Sequence, residues 1–244
     1  MTEHAADARR RHYLQAMQVD IWRSRARAAA GEGGAAEQMP AALPSSAVAT
    51  AQVAAMPFHE LEATVSVCQR CELHRGRTRT VFGTGDEQAR CMIIGEAPGA
   101  DEDARGEPFV GRAGQLLNAM LRAMGFSRES VYIANIVKCR PPKNRDPKPE
   151  EMVACAPFLR RQIVLIAPAL ILAVGRVAAQ HLAGSTLPIG RMRGQSYFYE
   201  SSDDGRRIPI VVTYHPAYLL RSPIEKRKSW EDLKRARLLL ESAQ

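Results

Sequence analysis

Four short stretches of the chain are apolar almost without interruption: residues 91–95 (CMIIG), 131–137 (VYIANIV), 169–175 (ALILAVG) and 208–214 (IPIVVTY). Runs of that length with no polar alternation are what strands covered on both faces require. Between them the apolar positions recur at three- and four-residue steps, predicting helices over 113–124, 149–166, 176–182 and 229–242. Pro149 suits the first turn of the second of these helices. Strands alternating with helices predict an α/β layered domain with a mostly parallel sheet. Residues 195–200 read as an edge strand, and no internal repeat is visible.

The pattern changes before residue 57. Residues 1–30 are basic, with six arginines against Asp20 between Arg9 and Arg27, and Tyr13, Leu14, Met17, Ile21 and Trp22 at helical steps. They predict an amphipathic N-terminal segment. Residues 31–56 hold nine alanines, no Lys or Arg and no aromatic residue, and Pro40, Pro44, Ser45 and Ser46 break any period. That composition predicts a mobile linker. The folded domain is expected over 57–244.

Composition adds a partner class. In a chain of 244 residues, 34 Lys and Arg stand against 26 Asp and Glu, a net charge of +8, which favours a polyanionic partner. No apolar run approaches the ~18 residues of a membrane span, and the charged start resembles no secretory signal. A reducing, cytoplasmic setting is therefore expected. There, regularly spaced cysteines are more often metal ligands or catalytic groups than disulfide partners. Cys68 and Cys71 form a Cys-x-x-Cys pair, and Cys139 and Cys155 follow at the end of a predicted strand and inside a predicted helix. Four thiolates from separated backbone positions suit structural zinc or an iron-sulfur cluster equally, and ordinary buried thiols are the plain alternative. Cys91 opens an apolar strand and is expected in the core.

Ligands of open parallel sheets bind beyond the carboxyl ends of the strands. After the first strand comes Gly95-Glu96-Ala97-Pro98-Gly99 with the acidic cluster Asp101, Glu102 and Asp103. Pro108-Phe109-Val110-Gly111 then enters a helix whose first amides and Arg112 suit a phosphate, with Phe109 beside them to stack a base. The second strand carries Asn135, whose amide offers a donor and an acceptor to a base edge, followed by Lys138, Cys139, Arg140, Pro141, Pro142, Lys143 and Asn144. The fourth runs into His215-Pro216-Ala217-Tyr218-Leu219-Leu220-Arg221.

These motifs, in this order, resemble the family-4 uracil-DNA glycosylases over residue 57 to the C-terminus. The resemblance implies a three-layer α/β/α fold around a central four-stranded parallel sheet. It implies a 4Fe-4S cluster on Cys68, Cys71, Cys139 and Cys155, and hydrolysis of the N-glycosidic bond of deoxyuridine in single- or double-stranded DNA by a monomer. In that reading Phe109 stacks on a flipped uracil and Asn135 reads its polar edge. Glu96 and Ala97 line the pocket, and His215 donates to the developing oxyanion. The aspartate that classical uracil glycosylases carry in the first motif is replaced by Ala97. Glu102 is then expected to orient water, with Glu96 and Asn144 as other candidates. Leu219 and Leu220 resemble an insertion wedge, and Arg112, Lys138, Arg140, Lys143, Arg145 and Arg221 would contact phosphates. Two other classes fit parts of the pattern. One is a non-enzymatic zinc or iron-sulfur nucleic-acid-binding module. The other is a relative that bonds covalently to the abasic sugar, which the absence of His between Arg140 and Pro149 disfavours.

Overall fold

The computed structural model describes residues 52–242. The basic helix expected within residues 1–30 and most of the expected linker lie outside them. Within them, one six-stranded sheet has the order β1-β3-β2-β4-β6-β5. The strands are β1 (Thr84–Gly85), β2 (Cys91–Gly95), β3 (Tyr132–Asn135), β4 (Leu170–Val174), β5 (Tyr197–Glu200) and β6 (Arg207–Thr213). The four predicted apolar runs are the parallel centre, β3-β2-β4-β6, while β1 and β5 pair antiparallel at the two edges. The sheet thus exceeds the expected four strands by the foreseen β5 and by β1, whose two residues are too short to leave a period.

Side chains alternate between two cores. Met92 and Ile94 of β2 face one, with Ile171 and Ala173 of β4 and Ile210 and Val212 of β6. Cys91 and Ile93 face the other, with Leu170, Leu172, Val174 and Val211. The first is covered by α1 (Phe58–Ser66), α4 (Pro149–Ile166) and α5 (Arg176–Ala183). The second is covered by α3 (Arg112–Ala123), α7 (Pro216–Arg221) and α8 (Lys226–Ser242). Helices α2 (Ala100–Arg105) and α6 (Ile189–Met192) are short connectors. The architecture is the expected three-layer α/β/α arrangement.

The folded domain starts earlier than residue 57. Residues 52–55 form a helical turn, Val53 is buried in the first core, and Arg161 Nε donates to the Met56 carbonyl at 2.7 Å. The end of the alanine-rich stretch is therefore not a mobile linker, because Val53 and Met56 supply apolar surface for the core. Among the described residues no helix is long and apolar enough to cross a membrane.

Candidate functional site

The carboxyl ends of β2, β3 and β6 and the β3–α4 loop converge on a cleft of about 450 Å³. Glu96, Ala97, Glu102, Phe109, Asn135, Asn144 and His215 all line it. Asn135, the last residue of β3, is buried, and its Oδ1 has no hydrogen-bond partner among the described residues. A buried amide oxygen left unpaired costs roughly 1–3 kcal/mol unless a ligand completes it. Phe109 lies beside it with φ +54, a left-handed conformation a large side chain rarely takes. Arg128 holds it there, donating to the carbonyls of Phe109 (3.3 Å) and Pro108 while pairing with Glu107 at 2.8 Å. Arg128 leaves no local signal in the sequence, since its partners lie about twenty residues upstream. The Phe109 and His215 rings stack at 5.6 Å between centroids.

His215 caps α7, and its Nδ1 accepts from Ala217 N at 3.1 Å. In the neutral ring the proton therefore sits on Nε2. Burial, with Arg221 nearby, pushes the imidazole down to about 4, so it is neutral at ordinary pH. Gly175 follows β4 and caps α5 with φ +97, and a Cβ there would lie 3.1 Å from His215 Cβ.

The two carboxylates sit in different surroundings. Glu102 accepts from Gly99 N (3.1 Å), Val110 N (2.9 Å) and Gly111 N (3.2 Å). Both its oxygens accept from backbone amides, so it clamps the Phe109 loop while lining the cleft. Glu96 instead faces Asp146. Burial and that like charge push it up to about 7, opposed by Arg176, which pairs with Asp146. Asn144 sits at the rim in a left-handed conformation and accepts from Arg140 Nε at 2.7 Å.

Three other expectations are corrected. Leu219 is no wedge: it is buried in the second core with Leu117 and Leu121. Leu220 is partly exposed, and the freely exposed apolar side chain nearby is Ile224, at 83%. Lys138 makes no phosphate contact, because it is buried, with Nζ donating to Asn135 O (3.0 Å) and Gln162 Oε1 (2.6 Å). Arg145 is committed to Glu151 through paired bonds of 2.8 and 2.6 Å. Arg112 and Arg221 are exposed and Arg140 is partly so, as phosphate contacts must be.

Behind the cleft, Cys68, Cys71, Cys139 and Cys155 line a single cavity, with Arg70, Arg77 and Lys138 in its wall. Lys138 N donates to Cys155 Sγ at 3.3 Å and Arg77 Nη1 to Cys139 Sγ at 3.2 Å. Burial pushes the Cys155 thiol up to about 12 and also raises Cys71 and Cys139. Cys91 is buried in the opposite core, as expected of a spectator.

Residues 82–234 match the family model of the uracil DNA glycosylase superfamily. The chain is 44% identical over 172 residues to a type-4 uracil-DNA glycosylase of Archaeoglobus fulgidus, covering 69% of this chain and 85% of that one. It is 43% identical over 176 residues to the type-4 uracil-DNA glycosylase of Thermotoga maritima, covering 71% and 89%. A type-5 uracil-DNA glycosylase of Thermus thermophilus is 37% identical over 119 residues, covering 43% and 54%. The chain belongs to the uracil-DNA glycosylase superfamily, as one of its type-4 members.

Proposed function

We infer that this protein hydrolyses the N-glycosidic bond of deoxyuridine in DNA, releasing uracil and leaving an abasic site. The observation that carries the reading is the buried Asn135 amide, its Oδ1 unpaired, in a cleft shared with Phe109 and His215. A base within a duplex is unreachable, so the nucleotide must swing out of the stack. Phe109 then stacks on the uracil face, while Asn135 Oδ1 accepts from the ring N–H and its amino group donates to a carbonyl. Bond cleavage puts negative charge on uracil and positive charge on the sugar. His215 Nε2–H meets the first. Glu96 is the carboxylate placed to orient water and to offset the second. The exposed Arg112, Arg140 and Arg221 supply phosphate contacts, and Leu220 and Ile224 are the apolar side chains available to fill the gap left by the base.

The thiol cavity fits a 4Fe-4S cluster. The N–H···S bonds from Lys138 and Arg77 favour thiolates, and Arg70 Nη1 is buried without a hydrogen-bond partner among the described residues, as suits a donor to cluster sulfide. Held by these four cysteines, the cluster would cross-link the α1 end and the β3–α4 loop to α4.

The deciding experiment treats a uracil-containing oligonucleotide with the protein and then with alkali. Strand breaks at uracil are expected. Intact strands from brown protein carrying about four irons per chain would instead leave a binding module.

Glu96 gives the reaction a pH signature. It shares its cleft with Asp146, Arg145, Glu102, His215 and Arg221, and with Arg176 through Asp146. As the anion is the working form, turnover rises as pH passes upward through about 7. Glu96→Gln should flatten that limb and lower the plateau by about 10²-fold, the low end for a positioned base. A pH–rate profile unchanged in the variant would remove Glu96 from the reaction.

A further inference from the structure

Among the described residues, Lys138 alone is bonded both to the thiol cavity and to the base-reading side chain's own backbone. Its peptide N–H donates to Cys155 Sγ, its Nζ to the carbonyl of Asn135 and to Gln162 Oε1. Gln162 follows Cys155 by seven residues, two turns along the same face of α4. It is wholly buried, and its amino group donates to Phe82 O at 3.0 Å and to the Tyr132 hydroxyl at 3.2 Å. The far side of the Asn135 strand is held otherwise: Ile136 N donates to Gly95 O and Val137 N to Glu96 O. A lysine carrying charge at that depth needs compensation, because an unpaired buried ammonium costs several kcal/mol. Two neutral oxygens do not supply it. The third neighbour is the four-cysteine cavity, whose wall includes Lys138. A 4Fe-4S core on four thiolates carries net negative charge there.

We propose that Lys138 is a positioning residue that fixes Asn135 for base reading and ties that placement to the loading of the four-cysteine site. The inference rests on the function given above. With the cluster in place, its negative charge holds the ammonium against Asn135 O, and the strand end stays where the amide faces the cleft. When that charge is lost, the ammonium is drawn toward water, the Asn135 carbonyl loses its donor, and the amide leaves its reading position.

The test compares holoprotein of the wild type, Lys138→Met and Gln162→Leu, with iron content and absorbance recorded for each. The readouts are inhibition by free uracil, kcat and KM on a uracil oligonucleotide, and the cluster's reduction potential. In Lys138→Met, uracil inhibition should weaken about tenfold and kcat fall by a similar factor at nearly constant KM, the loss expected for one strayed hydrogen-bonding group. Iron should stay at the wild-type level and the potential become more negative, since a cation beside the cluster is gone. Gln162→Leu touches no cysteine and should weaken uracil inhibition in the same direction with an unchanged potential. Wild-type inhibition in an iron-replete Lys138→Met protein would overturn the proposal. Should Lys138→Met fail to hold iron, wild-type inhibition in Gln162→Leu would overturn it equally. A wild-type protein that releases no uracil is a different failure, of the function itself.

Discussion

His215→Ala lowers kcat on a uracil-containing oligonucleotide by about 10²–10³-fold while KM barely moves, the signature of an interaction made only in the transition state. The expectation follows from which nitrogen holds the proton. Ala217 N donates to Nδ1, which obliges the neutral ring to carry its hydrogen on Nε2. Burial keeps the ring neutral down to about pH 4. The cleft thus holds a fixed neutral donor on Nε2, available to the negative charge that uracil accumulates. Between pH 5 and 8 this ring does not titrate, so the wild-type and His215→Ala profiles should run parallel across that range. The unfolded chain binds the His215 proton near 6.5 and the native chain near 4. Within that window the unfolded state holds more protons, so this group makes native stability rise with pH. Steady-state kinetics of the holoprotein decide the matter. A loss confined to KM would move His215 from catalysis to binding.

Much of this site is legible in the chain because its parts sit at strand ends, where local pattern and chemistry coincide. Asn135 and His215 each close or follow a nearly pure apolar run, and a polar residue there has few structural excuses. Cys139 and Cys155 fall at the end of a strand and inside a helix that the same periodicity predicts. The misreadings share a cause, which is that burial is decided by partners distant in sequence. Lys138 stands among Cys139 and Arg140 and reads as one more surface cation, yet Gln162, from another element, and the thiol cavity bury it. Leu219 reads as part of an exposed tip, but α7 begins at Pro216 and turns it onto Leu117 and Leu121. Glu102 and Glu96 differ by six positions and not at all in chemistry. The amides of Gly99, Val110 and Gly111, folded around Glu102, and the Asp146 carboxylate facing Glu96 separate the clamp from the carboxylate of raised pKa.

Asn135→Ala abolishes preference more than it abolishes folding. The wild-type amide presents an acceptor to the uracil ring N–H and a donor to its carbonyl. Cytosine carries an unprotonated ring nitrogen and an amino group at those places, so both contacts become mismatched. A buried hydrogen-bonding site of this kind rejects an analogue that fails to pair with it by roughly 10⁴–10⁵. Alanine leaves only Phe109 stacking and the His215 donor, neither of which distinguishes the two rings. Turnover on uracil should fall by about 10²-fold, near the upper worth of a paired amide contact, and uracil-over-cytosine selectivity should fall further still. Iron content and colour should be unchanged, since the Asn135 side chain faces the cleft and makes no bond to the thiol cavity. The fit around the amide supplies a second, sharper variant. Gly95 lies directly beneath it, where a Cβ would come 2.5 Å from Asn135 Oδ1 and 2.7 Å from Phe109 Cζ. In the proposed reading those atoms are the two walls that hold the base, and Gly95→Ala must displace one or both. Overpacking of this size costs about 1–3 kcal/mol of stability, which a denaturation curve measures separately from activity. If Gly95→Ala folds, keeps its iron and still excises uracil at the wild-type rate, the base does not sit between Phe109 and Asn135. If instead it matches Asn135→Ala in lost selectivity, one missing methyl group is what keeps the reading amide in place.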